Sequence, residues 1–219
     1  MSDAARTVVH LIRHGEVANP SGVLYGRLPD FHLSELGRAM AERLAEWCDG
    51  RDITYLVSSP LDRARETMAP IAERVGLDVE LDERVIEASS LFEGRVFGVG
   101  DGALRRPQVW WMLRNPLRPS WGEPYREIAD RMFAAMADAR ERARGHEAVV
   151  VSHQLPVWVA RLAAEGRRRF MHDPRRRQCS LASVTSFTYV DDEVVTVAYT
   201  EPARDLLPVR TSKKFVAGA

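Results

Sequence analysis

Short apolar, β-branched runs alternate with amphipathic stretches along this chain. Thr7–Arg13 (TVVHLIR) reads as a buried strand, Ile53–Ser58 (ITYLVS) as a second and Val79–Leu81 as a brief third. Ala148–Ser152 (AVVVS) is the clearest buried run of all. Between the first two strands, Leu36, Met40, Leu44 and Trp47 recur at helical spacing behind Ser34, a good N-cap. Pro60 suits the first turn of a helix running towards Val75, which Pro70 is expected to kink or divide. Helical patterns resume around Val109–Leu113, Tyr125–Arg144 and Leu155–Ala164, the last with Pro156 near its start. Ser183–Val190 and Glu193–Thr200 alternate around Asp191-Asp192, which predicts an antiparallel hairpin. Asp82 to about Arg106 reads as irregular, and the last residues, through KKFVAGA, as a tail.

Strands alternating with helices predict an α/β fold, a mostly parallel mixed sheet covered by helices on both faces. The expected organisation is a single domain over residues 1–205 and a C-terminal tail over 206–219. In such sheets ligands sit beyond the carboxyl ends of the strands. Three runs end in chemically loaded residues: Arg13-His14-Gly15, Ser58-Ser59-Pro60-Leu61-Asp62-Arg63 and Ser152-His153-Gln154. If those strands are neighbours, two histidines and two arginines converge at one rim.

Composition changes this picture little. Lys+Arg and Asp+Glu both total 31 in 219 residues, so net charge predicts neither nucleic acid nor membrane as a partner. The first residues lack a basic stretch followed by a long apolar run, and no window approaches a membrane span, so a cytoplasmic protein is expected. Cys48 and Cys179 make neither a disulfide framework nor a metal cluster and read as reduced thiols. His10 and His14 are four apart, a zinc spacing on a helix, but TVVHLIR is strand-like and no third ligand is evident. No metal and no cofactor is expected, and His10 reads as a core histidine. The arginine clusters Arg167–Arg169 and Arg175–Arg177 read as a solvated loop.

The rim residues suit one chemistry. A phosphoryl group in transfer is anionic, and its barrier yields to positioned positive charge. Arginine stays charged and its planar fork can hold two phosphate oxygens. An unprotonated imidazole nitrogen can attack phosphorus and divide the reaction into two steps. An alkoxide leaves poorly, so a carboxylic acid must protonate it and can then, as a base, activate water.

LIRHGE, SSPLDRARET, LDERVIEASSLFEGR and VVVSHQLPV, in that order, resemble the signature blocks of the histidine phosphatase superfamily, phosphoglycerate mutase-like branch 1. YGRLPDFHLSELG is similar to the loop and helix start found there, and GEPYREIADRM to its Gly-Glu-Ser stretch. The resemblance implies a three-layer α/β sandwich and a metal-independent phosphomonoester hydrolase working through a phosphohistidine. It makes His14 the nucleophile and Arg13, Arg63 and His153 the phosphate pocket, and it places Glu87 where the family has its proton donor. Asn19, Arg27, Glu16 and Gln154 are further pocket candidates. Gln154-Leu155 stands where the family commonly has Gly-Gly, which narrows the entrance. AlaSerSerLeu replaces an Ile-Asp-Phe-Gly-like run after the acid. Arg105, Arg106, Arg114 and Arg118 fall in the segment that often forms a lid, and Trp110, Trp111 and Trp121 there suit a substrate cover or a buried helix face equally. The expected partner is a small anionic phosphate ester. The alternatives are mutase-type phosphoryl transfer and a non-catalytic phosphate-binding protein. The sequence leaves the oligomeric state open.

Overall fold

In the computed structural model, which describes residues 6–96, 122–167 and 177–207, β1 (Arg6–Arg13) lies inside a six-stranded sheet. Its neighbours are β4 (Glu147–Ser152), parallel to it, and β5 (Val184–Val190), antiparallel. β2 (Ile53–Ser58) and β3 (Val79–Leu81) extend the parallel half, and β6 (Glu193–Thr200) closes the other edge, giving the order β3-β2-β4-β1-β5-β6. The strand alternation explains why helices cover both faces. Val9, Leu11, Ala148 and Val150 point to one side, where α3 (Tyr125–Arg142) and α4 (Gln154–Ala164) pack with Met132, Met136 and Val157. Ile12, Val149 and Val151 point to the other, against Met40, Leu44, Met68 and Ile71 of α1 (Glu35–Trp47) and α2 (Asp62–Val75).

Most elements fall where the hydrophobic pattern places them. Ser34 caps α1 through its hydroxyl, which accepts from Gly37 N (2.9 Å) and donates to Glu16 Oε2 (2.6 Å). Glu16 thereby braces a helix cap. Pro70 does not divide α2, which runs unbroken from Asp62 to Val75. An interior proline costs a helix about 3 kcal/mol. Met68 and Ile71, wholly buried on either side of it, offset that cost at roughly 1.5–3 kcal/mol each. Leu206 and Leu207 pack against the α1–α2 side of the core. The Val109–Leu113 helix and the tail from residue 208 lie outside the described residues, as do Arg105, Arg106, Trp110, Trp111, Arg114, Arg118 and Trp121.

Candidate active site

The parallel strands β1, β4 and β2 end side by side, with Arg13 paired to Ser152 and Ser58 to Val151. This register brings His14, Ser59 and His153 to one rim. His14 N donates to Ser152 O (3.2 Å) and Ser59 N to Val151 O (3.0 Å), so each chain leaves the sheet tied to its neighbour. Gly15 follows His14 because no side chain fits there: a Cβ would lie 2.5 Å from Gly37 O. Close packing of this turn against the start of α1 demands the glycine. Thr67, in the first half of α2, accepts from Gly15 N (3.1 Å) and donates to Arg63 O (2.7 Å), linking the loop after β1 to the Arg63 helix turn.

His14 is buried and its tautomer follows from its partner. Nδ1 lies 2.7 Å from Gly15 O, which can only accept, so Nδ1 carries the proton and Nε2 the lone pair. Burial, then the Arg63 and Arg13 guanidiniums, push this imidazole well below its ordinary pKa, overriding the raising effect of the Gly15 bond. The His153 ring centroid is 5.2 Å away. His153 Nε2 meets Ser59 Oγ at 2.7 Å, and burial, then Arg63 and His14, hold His153 neutral too.

Arg13 and Arg63 are both almost fully buried. Arg13 donates through NH1 to Cys179 O (2.8 Å) and Arg63 through NH2 to Gly26 O (2.6 Å). The Arg63 guanidinium also lies 4.7 Å from the Tyr25 ring centroid. Among the described residues neither guanidinium has an ion pair, and Arg13 Nε, Arg63 Nε and His153 Nδ1 are buried without a hydrogen-bond partner. Polar atoms buried in this way point to an anion as their missing partner. Glu87 is half-buried beside them. Burial raises its carboxyl above the usual range, against the lowering effects of its bond from Ala88 N (2.8 Å) and of Arg63, Arg13 and Arg177.

Two predicted pocket residues do other work. Asn19 closes its own loop, donating from Nδ2 to Val23 O (2.8 Å) and accepting at Oδ1 from Val23 N (3.2 Å). Arg27 donates from Nε to Glu87 O (2.7 Å) and from NH2 to Glu123 Oε2 (2.8 Å), so it holds the backbone at Glu87. Gln154 stands next to His153 and accepts from Arg177 NH1 (3.2 Å). That contact corrects the reading of Arg175–Arg177 as wholly solvated: Arg177 comes into the site, and burial lowers its pKa. Sequence reasoning also passed over Tyr25, Ser59 and Thr67, although YGR and SSPLDRARET contain them.

His10 is a satisfied core residue, bonded to Ser186 Oγ and Glu147 Oε2, each at 2.8 Å, and packed edge-on to Trp47. Outside the pocket, Asp30, His32 and Asp62 bring ligand atoms within 4.8 Å of one another, the described group best able to hold a cation. His32 Nδ1 is held by Glu66 at 2.5 Å. Cys48 and Cys179 are free and buried, and burial pushes the Cys48 thiol up to about 12. No helix among the described residues is long and apolar enough to cross a membrane.

A neutral imidazole at His14, the buried Arg13 and Arg63 with no ion pair among the described residues, and a carboxyl of raised pKa, all at the carboxyl rim, agree with the family match: residues 9–202 fit the histidine phosphatase superfamily (branch 1), and the chain belongs to it. Among similar proteins is Uncharacterized protein Rv0525 of Mycobacterium tuberculosis, 58% identical over 90% of this chain and 97% of that one. Probable phosphoglycerate mutase GpmB of Salmonella choleraesuis is 29% identical over 80% of this chain and 83% of its own. The fold is shared with a mutant phosphoserine phosphatase from Entamoeba histolytica in complex with phosphoserine. That match has a TM-score of 0.73 at 22% identity and covers 90% of this chain and 98% of that one.

Proposed function

We propose that the protein hydrolyses a small anionic phosphate monoester through a phosphohistidine at His14, without a metal. The observation that carries this is the neutral His14 ring, with its proton on Nδ1, beside the buried Arg13 and Arg63, which have no ion pair among the described residues. In the first step His14 Nε2 bonds to phosphorus as the P–O ester bond breaks, and the Glu87 proton passes to the departing oxygen. In the second, water adds to phosphorus as the N–P bond breaks, and its proton returns to Glu87. One water is consumed; the alcohol and inorganic phosphate are released. Arg13 and Arg63 offset the charge on the transferring oxygens. Ser59, by donating its hydroxyl hydrogen bond to His153 Nε2, leaves Nδ1–H of that neutral ring to donate to the phosphoryl group.

Arg177 supports the anionic character of the substrate. Beyond Arg13 and Arg63, Arg177 adds a third guanidinium on the Glu87 side of the pocket, a charge that suits a carboxylate or second phosphate on the leaving group. Arg177→Gln is expected to lower kcat/KM about tenfold for carboxylate-bearing esters. Glycerol phosphate, which has no second anion, is expected to change far less. The likeness to GpmB supports a second reading, mutase-type transfer, which shares the first step and retains the intermediate.

The test is phosphate release from a panel of phosphomonoesters with chelator present, comparing wild type and His14→Ala. The panel includes 3-phosphoglycerate with and without its bisphosphorylated primer, with isomer formation read alongside. Chelator-resistant release that His14→Ala abolishes is the expected result. Primer-dependent isomerisation without release would establish the mutase instead. On alkyl esters, kcat is expected to fall as pH rises through the raised pKa of Glu87, because only the protonated carboxyl can serve the leaving group.

A further inference from the structure

The main chain on the N-terminal side of the acid, residues 84–87, is held by side chains that the catalytic scheme does not use. Arg131, in α3, donates through NH1 to Arg84 O (2.5 Å) and to Ile86 O (2.8 Å). Arg27 donates through Nε to Glu87 O (2.7 Å). Both guanidiniums grip one carboxylate, Glu123. Arg131 reaches it from Nε (2.7 Å) and NH2 (3.1 Å), and Arg27 from NH2 (2.8 Å). The Glu123 side chain is only 12% exposed, so these are not solvated surface pairs. The same residue is pinned through its backbone, with Glu123 N donating to Ser89 O (3.1 Å). A Cβ at Gly122 would lie 2.6 Å from that carbonyl oxygen, so the close approach requires glycine.

From this arrangement we infer that Glu123 is a positioning residue: through Arg27 and Arg131 it fixes the backbone that aims the Glu87 carboxyl at the leaving group. The inference rests on the proposed acid role of Glu87. Without the Glu123 charge, two guanidiniums lose their common anchor, and three carbonyls around the acid lose oriented donors. The Glu87 side chain then swings on a looser loop. Misplacement of a proton donor by a fraction of an ångström weakens acid catalysis while leaving the nucleophile and the phosphate clamp, on other elements, in place.

Leaving-group dependence separates this from a general structural role. A 2,4-dinitrophenolate departs without protonation, whereas an alkoxide does not. Glu123→Gln is therefore expected to lose about tenfold or more in kcat on an alkyl phosphate and less than about threefold on 2,4-dinitrophenyl phosphate. The descending limb of the alkyl pH profile should flatten in the variant. Arg27→Ala, at a more exposed position, should show the same selectivity with a smaller loss and guards against a folding defect in Glu123→Gln. Equal losses on both esters in both variants, or no loss in either, would overturn the inference. Glu87→Gln on the same two esters is the control. If it shows no leaving-group selectivity, the acid assignment itself falls; if it is selective while Glu123→Gln is not, only the positioning role falls.

Discussion

Two pairs of arginines flank the same carboxyl group and are treated oppositely by the fold. Arg27 and Arg131 have their donors matched to three carbonyl oxygens and to both oxygens of Glu123. Arg13 and Arg63 are more deeply buried, have no ion pair among the described residues, and each leaves Nε without a partner. Buried positive charge without a counter-ion costs several kcal/mol, so a fold keeps it only for a ligand that completes it. The difference separates arginines that hold structure from arginines that the proposed function assigns to an anion. Partnerless atoms alone do not suffice: Arg140 Nε and Arg161 NH1 are also unpartnered, yet those side chains pair with Asp192 and Glu165.

The sharpest break in this comparison would come from activity. Arg63→Met is expected to lower kcat/KM by about 10² to 10³ on every ester, whatever its leaving group, since in the proposed mechanism the lost charge faces the transferring phosphoryl itself. Arg131→Met should show a loss that depends on the leaving group. Steady-state kinetics on the same alkyl and dinitrophenyl esters distinguishes them; identical patterns would erase the distinction between the pairs.

Stability should move in opposite senses. Arg131→Met leaves Glu123 partly unpaired and two carbonyls without donors, and is expected to cost about 3 kcal/mol in urea unfolding without ligand. Arg63→Met removes an unpaired buried charge and fills similar volume, so stability without ligand should hold or rise. A large loss in Arg63→Met would mean that its bond to Gly26 O and its packing on Tyr25 outweigh its desolvation.

The site was legible in the sequence to the extent that it is local. His14, Arg63 and His153 come after the ends of buried strands, and the strand pattern places such residues at one rim once those strands are neighbours, as the order β2-β4-β1 makes them. Long side chains are another matter. Arg27, expected to bind substrate, reaches back to Glu87 O, and Arg177, expected in solvent, folds inward to Gln154; neither direction is written in its neighbours. Arg131 meets residues 84–87, and Glu123 meets Arg131, Arg27 and Ser89, only through the tertiary fold, so no spacing rule announces them. Pro70 leaves α2 undivided for the same kind of reason. The tertiary burial of Met68 and Ile71 outweighs a local helix breaker.

The histidines repeat the contrast and give a pH test. His10 has both ring nitrogens bonded, while His14 and His153 are held neutral by burial and by nearby arginines. For the latter two the folded pKa lies below the unfolded value of about 6.5, so below that pH the unfolded chain binds more protons. Stability is therefore fully present above about pH 6.5 and is lost as pH falls towards the depressed folded values. Each of these two histidines contributes about 1.4 kcal/mol per pH unit across that window. His14→Asn should reduce the slope of unfolding free energy against pH by one proton. An unchanged slope would show that His14 is already protonated in the fold.

The smallest effect is also the most direct reading of the unengaged donors. Inorganic phosphate that binds only the folded protein stabilises it by RT ln(1 + [L]/Kd), about 1.4 kcal/mol at ten times Kd. For a domain of this size that is a rise in Tm of roughly 3–5 °C. The rise is expected in wild type and in Arg27→Ala, whose guanidinium is already engaged with Glu123 and Glu87 O. Arg63→Met should lose it, because the clamp on the anion is halved while the rest of the fold stands. Chloride at matched ionic strength separates this from screening, since a compact monovalent ion cannot span two guanidinium forks. If Arg27→Ala lost the shift and Arg63→Met kept it, the assignment of the two pairs would be reversed. The anion would then sit on the Glu123 side of the acid, where the backbone carbonyls of residues 84–87 already take the donors.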